Sequence, residues 1–407
     1  MINGPLAAQA IDPYCGGSHR AFFEDLAALS RHNWAFYCGE ARFWKWRMRS
    51  YPLTLLNEQL QAFRHDTSEK KPEPTKLPSG LMVTSMLDLP AYRGLLASKL
   101  HEPRLGPKRR DFCQHLLQVP TAVYFHENQL TYPISPHARE DSHYGYTNIL
   151  SAMLADEIWF NSDFHRSNFL EASESFIRRM PDQQKIHPIK NLAQKSFVVA
   201  PGFRPIETGF QVGGRCSSNP TGSYTNPPIR IGWVARWEYD KRPDQFLELL
   251  RIIRERRISF ELILLGPRRE SCEELRVIET EFQNRILYSG HADSQEEYRQ
   301  QLSEMDIVVS TADHEYFGIA VCEAVSAGAV PVLPARLAYT EIAVPECLYR
   351  QLDEAVDLIS ELTNPEIRTK LYARSRKRIQ HLSVDRCIQT LDERFSEMVA
   401  NHAELTD

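Results

Sequence analysis

The 407-residue chain is 42% hydrophobic, 25% charged and 10% aromatic, a globular composition that excludes disorder as the main state and predicts two or three domains. Its 48 Lys and Arg against 53 Asp and Glu leave a net charge of −5, so the surface as a whole does not attract polyanions. The charge is uneven: residues 1–200 hold 23 basic and 20 acidic side chains, a balance of +3, and the remainder holds 25 and 33, a balance of −8. A mildly basic N-terminal half hints at an anionic partner. No window approaches the roughly 18 apolar residues of a membrane span, and the opening MINGPLAAQAIDPY lacks the charged and apolar regions of a signal peptide, so a cytoplasmic enzyme is expected.

In chain order, β-rich runs fall at LMVTSM (81–86), TAVYFH (121–126), EIWFN (157–161) and SFVVA (196–200), with helical patterns between several of them. The rhythm repeats with IRIGW (229–233), FELILL (260–265), RILYS from 285, DIVVS (306–310) and AVPVL (329–333). Near-continuous apolar runs of this length suit strands buried on both faces of a parallel sheet. Residues 205–228 contain four Pro and four Gly and read as the domain linker, while the breaker stretch 65–80 reads as a loop inside the first domain. The expected architecture is two doubly wound, Rossmann-like α/β domains facing a central cleft, at 1–204 and 229–380. A C-terminal helix at 381–407 can return to the first domain. Ligands of such sheets bind at the carboxyl ends of strands, where the strand order reverses.

The eight cysteines (Cys15, Cys38, Cys113, Cys216, Cys272, Cys322, Cys347, Cys387) contain no two-residue-spaced pair, which argues against a zinc ribbon or redox motif and reads them as buried thiols. A Walker loop, a GxGxxG fingerprint and an Asp-x-Asp pair are all missing, so no metal and no resident cofactor is expected.

Two strings in the second half carry chemistry. In VARWEYDKRPDQFLELL, Arg236 and Lys241 follow a strand and precede a helix opening at Pro243. Two fixed cations beside a helix N-terminus can neutralise a diphosphate leaving group, although a solvated loop with two surface charges is the plainer reading of this string alone. In STADHEYFGIAVCEAVSAGAVPVLP, Glu315 and Glu323 are separated by seven residues across a turn at Gly318. One carboxylate can reach sugar hydroxyls and the other a ribose, while the amides of Phe317, Gly318 and Ile319 can meet phosphate. The alternative is one acidic residue favoured by the helix dipole and one ordinary helix glutamate.

The Glu-x7-Glu pattern behind an Arg-x4-Lys pair resembles the retaining GT-B glycosyltransferases of family 4. DPYCGGSHR (12–20), YFHENQLTYP (124–133), FNSDFHRSNFL (160–170), RWEYDK (236–241) and HEYFGIAVCEA (314–324) resemble a narrower group, the tRNA-queuosine α-mannosyltransferases. That resemblance implies GDP-mannose as donor substrate and queuosine in the anticodon of tRNA, tRNA-Asp in that group, as acceptor. It also places Gly290 with the donor residues.

In the first domain, Gly16 and Gly17 start a helix with flexible amides that can approach a phosphate or acceptor oxygen, though a lone Gly-Gly is more often a tight turn. His19 follows them. His126 ends a β-rich run, where the bland reading is a ring satisfied by backbone; the resemblance implies a His that touches the transferred sugar, with Asn128 and Gln129 as acceptor or sugar ligands. ARFWKWRMRS (41–50) interleaves Trp44 and Trp46 with Arg47 and Arg49, which suits unstacked bases and phosphates of an RNA loop or, equally, a helix edge with core tryptophans. Lys108 to Arg110 form a weaker basic spot. The expected function is metal-independent, retaining mannosyl transfer to tRNA, with no membrane partner. Its competitors are a family 4 enzyme acting on a lipid or small sugar, a sugar-nucleotide epimerase, and a non-catalytic RNA-binding protein.

Overall fold

A computed structural model describes residues 4–61, 77–133, 141–181, 188–206, 227–267 and 272–406. Most of the expected 65–80 loop, most of the 205–228 linker and Cys216 lie outside the described residues. The chain divides into two compact units, Met1–Pro201 with Asp385–Asp407, and Gly202–Val384.

Unit 1 runs β1 (Ala7–Cys15), α1 (Ser18–Leu29), β2 (Asn33–Glu40), α2 (Trp44–Gln61), β3 (Gly80–Thr84), α3 (Leu89–Leu100), α4 (Pro107–Gln118), β4 (Thr121–Phe125), α5 (Ser142–Leu154), β5 (Glu157–Phe160), α6 (Asp163–Arg178), α7 (Pro188–Gln194) and β6 (Ser196–Val198). Its strands pair in parallel in the order β2-β1-β3-β4-β5-β6. Every residue of β3, β4 and β5 is buried, as apolar runs covered by helices on both faces must be. The order reverses between β1 and β3, so the turns after β1, β3 and β4 meet at one end of the sheet.

Unit 2 repeats the logic with β7 (Ile229–Val234), α8 (Pro243–Glu255), β8 (Phe260–Leu265), α9 (Glu273–Glu281), β9 (Ile286–Gly290), α10 (Gln295–Ser303), β10 (Ile307–Val309), α11 (Ile319–Ala327), β11 (Val330–Pro334), α12 (Tyr339–Ile342), β12 (Leu348–Tyr349), α13 (Leu352–Leu362) and α14 (Pro365–Ile379). The order is β12-β11-β10-β7-β8-β9, again all parallel, and it reverses between β7 and β10. Helix α8 buries the stripe Phe246, Leu247, Leu249, Leu250 and Ile253 against the sheet, and Pro243 fits its first turn, where no amide partner is needed. In the centre of β7, a Cβ on Gly232 would lie 2.1 Å from Met305 Sδ, so a larger residue there would displace the Met305 side chain.

Helix α15 (Val384–Thr406) belongs to unit 1 from Asp385 onward. Asp392 accepts from Ser30 Oγ at 2.5 Å and from the Arg31 amide at 2.8 Å, and Arg394 pairs with buried Glu157. Phe395 packs on Trp34 with ring centres 4.8 Å apart.

Two expectations are corrected. The first unit ends at Pro201 rather than 204, because Phe203 is part of the second unit's core and exchanges backbone hydrogen bonds with Leu382 and Val384. Nor are all the cysteines buried: Cys15 is half-buried and Cys38 exposed, since both lie at the outer end of the β1–β2 edge.

Candidate active site

In unit 2 the turns after β7 and β10 are stitched together. Thr311 Oγ1 donates to the carbonyls of Lys241 (3.0 Å) and Arg242 (2.9 Å), and the Asp313 amide donates to the Asp240 carbonyl at 2.9 Å. Arg242 takes a left-handed φ of 53°, which turns the chain from a single 3-10 turn at Tyr239–Lys241 into α8. Asp313 ties the loop further, between Arg242 Nη1 and Arg336 Nη2 at 2.7 Å each.

Lys241 Nζ is consequently fixed 2.7 Å from the His314 carbonyl, 3.3 Å from Glu315 Oε2 and 3.4 Å from Asp240 Oδ2. The other Glu315 oxygen accepts from the amides of Phe317 (3.3 Å) and Gly318 (3.1 Å). Burial alone would raise this carboxyl, but Lys241 and the Phe317 amide outweigh it and hold the group below the ordinary carboxylate range. His314 moves down to about 4, through burial and then the Lys241 charge, so its ring is neutral at pH 7. Gly318 caps α11 with φ 96°, and a Cβ there would lie 2.9 Å from Ile342 Cδ1. Only glycine makes this turn.

The other expected donor residues are more scattered. Arg236 is exposed on the same turn as Lys241, with its guanidinium 3.6 Å from Glu238. Glu323 is half-buried on α11 and accepts from Tyr298 Oη at 2.8 Å. Ile319 opens α11, and Gly290 closes β9, two strands from β7 in the sheet order.

Unit 1 gathers a different set. Asp12, fully buried at the end of β1, accepts from the Tyr14 amide (2.9 Å) and Thr84 Oγ1 (3.0 Å) on one oxygen and pairs with His19 Nδ1 (2.8 Å) through the other. The His19 ring lies over the His126 ring with centres 4.1 Å apart and planes 32° apart. His126 is seated among Phe22 and Tyr124, its carbonyl accepts from Asn161 Nδ2 at 2.9 Å, and its buried Nε2 has no hydrogen-bond partner among the described residues. Gly16 is required by close approach, because a Cβ there would sit 2.2 Å from Ala41 Cβ; Gly17, with φ 55°, precedes α1 in open space.

Asn128 is fully buried, and its Oδ1 accepts from the amides of Leu130 and Thr131, each at 3.1 Å, which shapes the turn after β4. Gln129 is half-buried, with its amide on Asn148 Oδ1 at 2.8 Å and its side chain on Glu127 at 3.1 Å.

The aromatic and basic stretch opens α2. Trp46 is 68% exposed and Phe43 76%, whereas Trp44 is half-buried against Tyr144 with ring centres 5.0 Å apart. Lys45 and Arg49 lie over the Tyr144 ring. Arg47 is 3.3 Å from Glu40, and Arg49 is 3.0 Å from Asp88, so both cations already have carboxylate partners. Sequence reasoning missed Tyr144, Asp12, Thr84 and His314. Asp12 and His314 stand inside the quoted strings, but nothing in their spacing marks them.

Among the described residues, no group of three or more His, Cys, Asp or Glu is placed to hold a metal ion, and no helix is long and apolar enough to cross a membrane.

Two doubly wound parallel sheets, with charged turns gathered at the point where the second sheet's order reverses, are the plan of a GT-B glycosyltransferase. The fold matches sucrose-phosphate synthase from Thermosynechococcus elongatus with a TM-score of 0.62 over 97% of this chain and 100% of that one, at 13% identity. Residues 219–377 match the family of glycosyl transferases group 1, so the chain is a glycosyltransferase. Residues 8–105 and 108–203 match the tRNA-queuosine alpha-mannosyltransferase N-terminal family. The tRNA-queuosine alpha-mannosyltransferase of Drosophila melanogaster is 31% identical over 345 residues, covering 83% of this chain and 82% of that protein. The chain belongs to the tRNA-queuosine alpha-mannosyltransferase family. A shorter match, 32% over 140 residues and 33% of this chain, is to GDP-mannose:cellobiosyl-diphosphopolyprenol alpha-mannosyltransferase of Xanthomonas oryzae pv. oryzae (strain PXO99A), of which it covers 36%.

Proposed function

We propose that this enzyme transfers mannose from GDP-mannose to queuosine in a tRNA anticodon, that of tRNA-Asp, in the cytoplasm, with retention of configuration and without a metal ion. The acceptor reading rests on the family, and the donor on the name of the Xanthomonas relative. The observation that carries the chemistry is Lys241, held among the His314 carbonyl, Glu315 and Asp240 on the turn where the strand order of unit 2 reverses.

In this reading Lys241 and Arg236 neutralise the diphosphate as it departs, which lowers the barrier because its charge rises during bond cleavage. Glu315, braced by the Gly318 turn, positions the sugar; Glu323 grips the ribose. The C1–O bond to the diphosphate breaks, the C1–O bond to the acceptor forms on the same face, and the acceptor hydroxyl proton passes to the departing phosphate oxygen. That route needs no enzyme nucleophile. In unit 1, His126 contacts the sugar, and the exposed rings of Phe43 and Trp46 beside Lys45 offer stacking planes for unpaired bases.

GDP release from GDP-mannose is the decisive assay, run with queuosine-containing tRNA-Asp, with the same tRNA lacking queuosine, and with a polyprenyl diphosphate sugar. Release coupled to mannosylated tRNA in the first reaction alone is expected. Equal release in all three, or transfer to the lipid alone, would overturn the assignment.

A further inference from the structure

The histidine pair of unit 1 contains a group that the transfer chemistry above does not use. Asp12 is wholly buried, yet its carboxylate has three donors from three segments: the Tyr14 amide, Thr84 Oγ1 from the end of β3, and His19 Nδ1 from α1. A carboxylate only accepts, so the His19 nitrogen that faces it carries the proton. The opposite face of this arrangement is the His126 ring, 4.1 Å away, with a buried Nε2 that no described residue satisfies. A buried nitrogen without a partner costs about 1–3 kcal/mol, and such groups persist where a ligand completes them.

We propose that Asp12 is a positioning residue for sugar transfer: it fixes the proton on His19, and the stacked His19 ring in turn holds His126 so that its unsatisfied Nε2 can take a hydroxyl of the bound substrate as partner. The inference rests on the reading that His126 contacts the sugar.

The electrostatics agree with the geometry. Burial alone would push His19 toward the neutral form, but the charge and hydrogen bond of Asp12, helped by Glu127, raise its proton affinity above the ordinary range. His126 is driven the other way, well below that range, by burial and then by His19 and His165. Two cations at this spacing repel strongly, so double protonation of the pair is disfavoured and Asp12 directs the positive charge to His19. The titratable groups that face the pair are Asp12 and Tyr14 from β1, Tyr124 from β4, Glu127 from the turn after β4 and His165 from α6. Arg20, the next residue on α1, is exposed and turned to Glu24, 3.0 Å away. A neutral His126 can accept a hydrogen bond from, or donate one to, a sugar hydroxyl; a protonated one can only donate.

The test uses the full-length enzyme, Asp12→Asn and His19→Gln, nitrogen-15 NMR of the histidine rings, and the pH dependence of mannose transfer. In Asp12→Asn the His19 titration should move to lower pH, kcat should fall by about 10²-fold, as a misplacement of about 1 Å can cause, and the alkaline limb of the kcat profile should move toward neutrality. KM for the donor should stay within about twofold, because no substrate contact is removed directly. In His19→Gln, His126 loses its stacked cation, so its titration and the acidic limb should both move to higher pH. A profile in Asp12→Asn that keeps the wild-type shape, whatever its height, overturns the proposal. Should that variant fail to fold, His19→Gln decides alone, and an unmoved acidic limb overturns it. Ring titrations read the free enzyme: if they shift as expected while wild type transfers nothing to tRNA, it is the acceptor assignment that has failed.

Discussion

The two units place polar groups at the same topological point of the same kind of sheet, yet they solve opposite electrostatic problems. Unit 2 fixes charge permanently: Lys241, Asp240, Glu315 and the Arg242–Asp313–Arg336 ladder are paired wherever they lie. Unit 1 stacks two imidazoles beside a buried carboxylate, which raises the proton affinity of the first while burial lowers that of the second. A site for a diphosphate, which is anionic both before and after bond cleavage, suits the first design. A site for hydroxyl groups, whose role as donor or acceptor must be chosen, suits the second.

The largest expected effect comes from unit 2. Lys241→Ala should lower kcat by about 10²–10³-fold, the cost of removing a donor aimed at developing charge, with little change in the melting of unit 1. Near-wild-type turnover at saturating donor would break the comparison at its first term. Arg236→Ala, at an exposed position, should cost less than Lys241→Ala in the same assay.

Next comes the proposed acceptor surface of unit 1. Trp46→Ala should weaken tRNA binding by about 1–3 kcal/mol per stacked base without moving the melting temperature, because the ring is 68% exposed. Trp44→Ala should lower both, since its ring leans on Tyr144. Arg47→Ala and Arg49→Ala should change the salt dependence of binding only weakly, because Glu40 and Asp88 already hold these cations. Filter binding at two salt concentrations beside thermal melts separates the three outcomes.

Acid sharpens the contrast. His314 takes its proton near pH 4 when folded and near 6.5 when unfolded, so unit 2 loses stability as pH falls through that interval. His19 has the opposite sign: its contribution is complete below its ordinary value and is lost as pH rises through the higher folded one. His126 offsets it on the acid side. Hydrogen exchange at pH 7 and pH 5.5 should show unit 2 losing protection first, by about 1 kcal/mol, or about 2–4 °C for a domain of this size, and His314→Asn should remove much of that loss. The smallest effect is expected of chelation. Excess EDTA should leave turnover unchanged, and a complete loss restored by a divalent metal would sink the metal-free mechanism.

Much of this was legible in the sequence where one physical signal dominates. TAVYF and FELILL are apolar on successive residues because helices cover both faces of their strands, and α8 announces itself by Pro243 and its stripe. The edge strand β2, NWAFYCGE, was not readable: it is half exposed, and its residues alternate in no consistent way. Lys241 and Glu315 stood out in the sequence because each follows a strand, but their pairing depends on β7 lying beside β10, which the sequence does not show. The start of α2 gave no period, since Met48 alone is buried among its first seven residues and Phe43 precedes it at φ 54°. Asp12 was hidden for a different reason. Its partners are two, seven and 72 residues away, and only the pairing of β1 with β3 brings the last of them near.

Helix α15 carries a consequence for how the chain is made. Its Asp392 and Phe395 complete the surface formed by Ser30, Arg31 and Trp34, but on a ribosome those residues emerge after the whole of unit 2. The first unit to begin synthesis is therefore the last to be completed, and until then Trp34 and Gly80 wait uncovered where Phe395 will lie. Unit 2, contiguous from Gly202 to Val384, has no such delay. A chain cut after Pro201 would emerge with that face permanently open, whereas one that joined residues 385–407 to it by a short linker would restore the closing helix and give an isolated half that can be studied by itself.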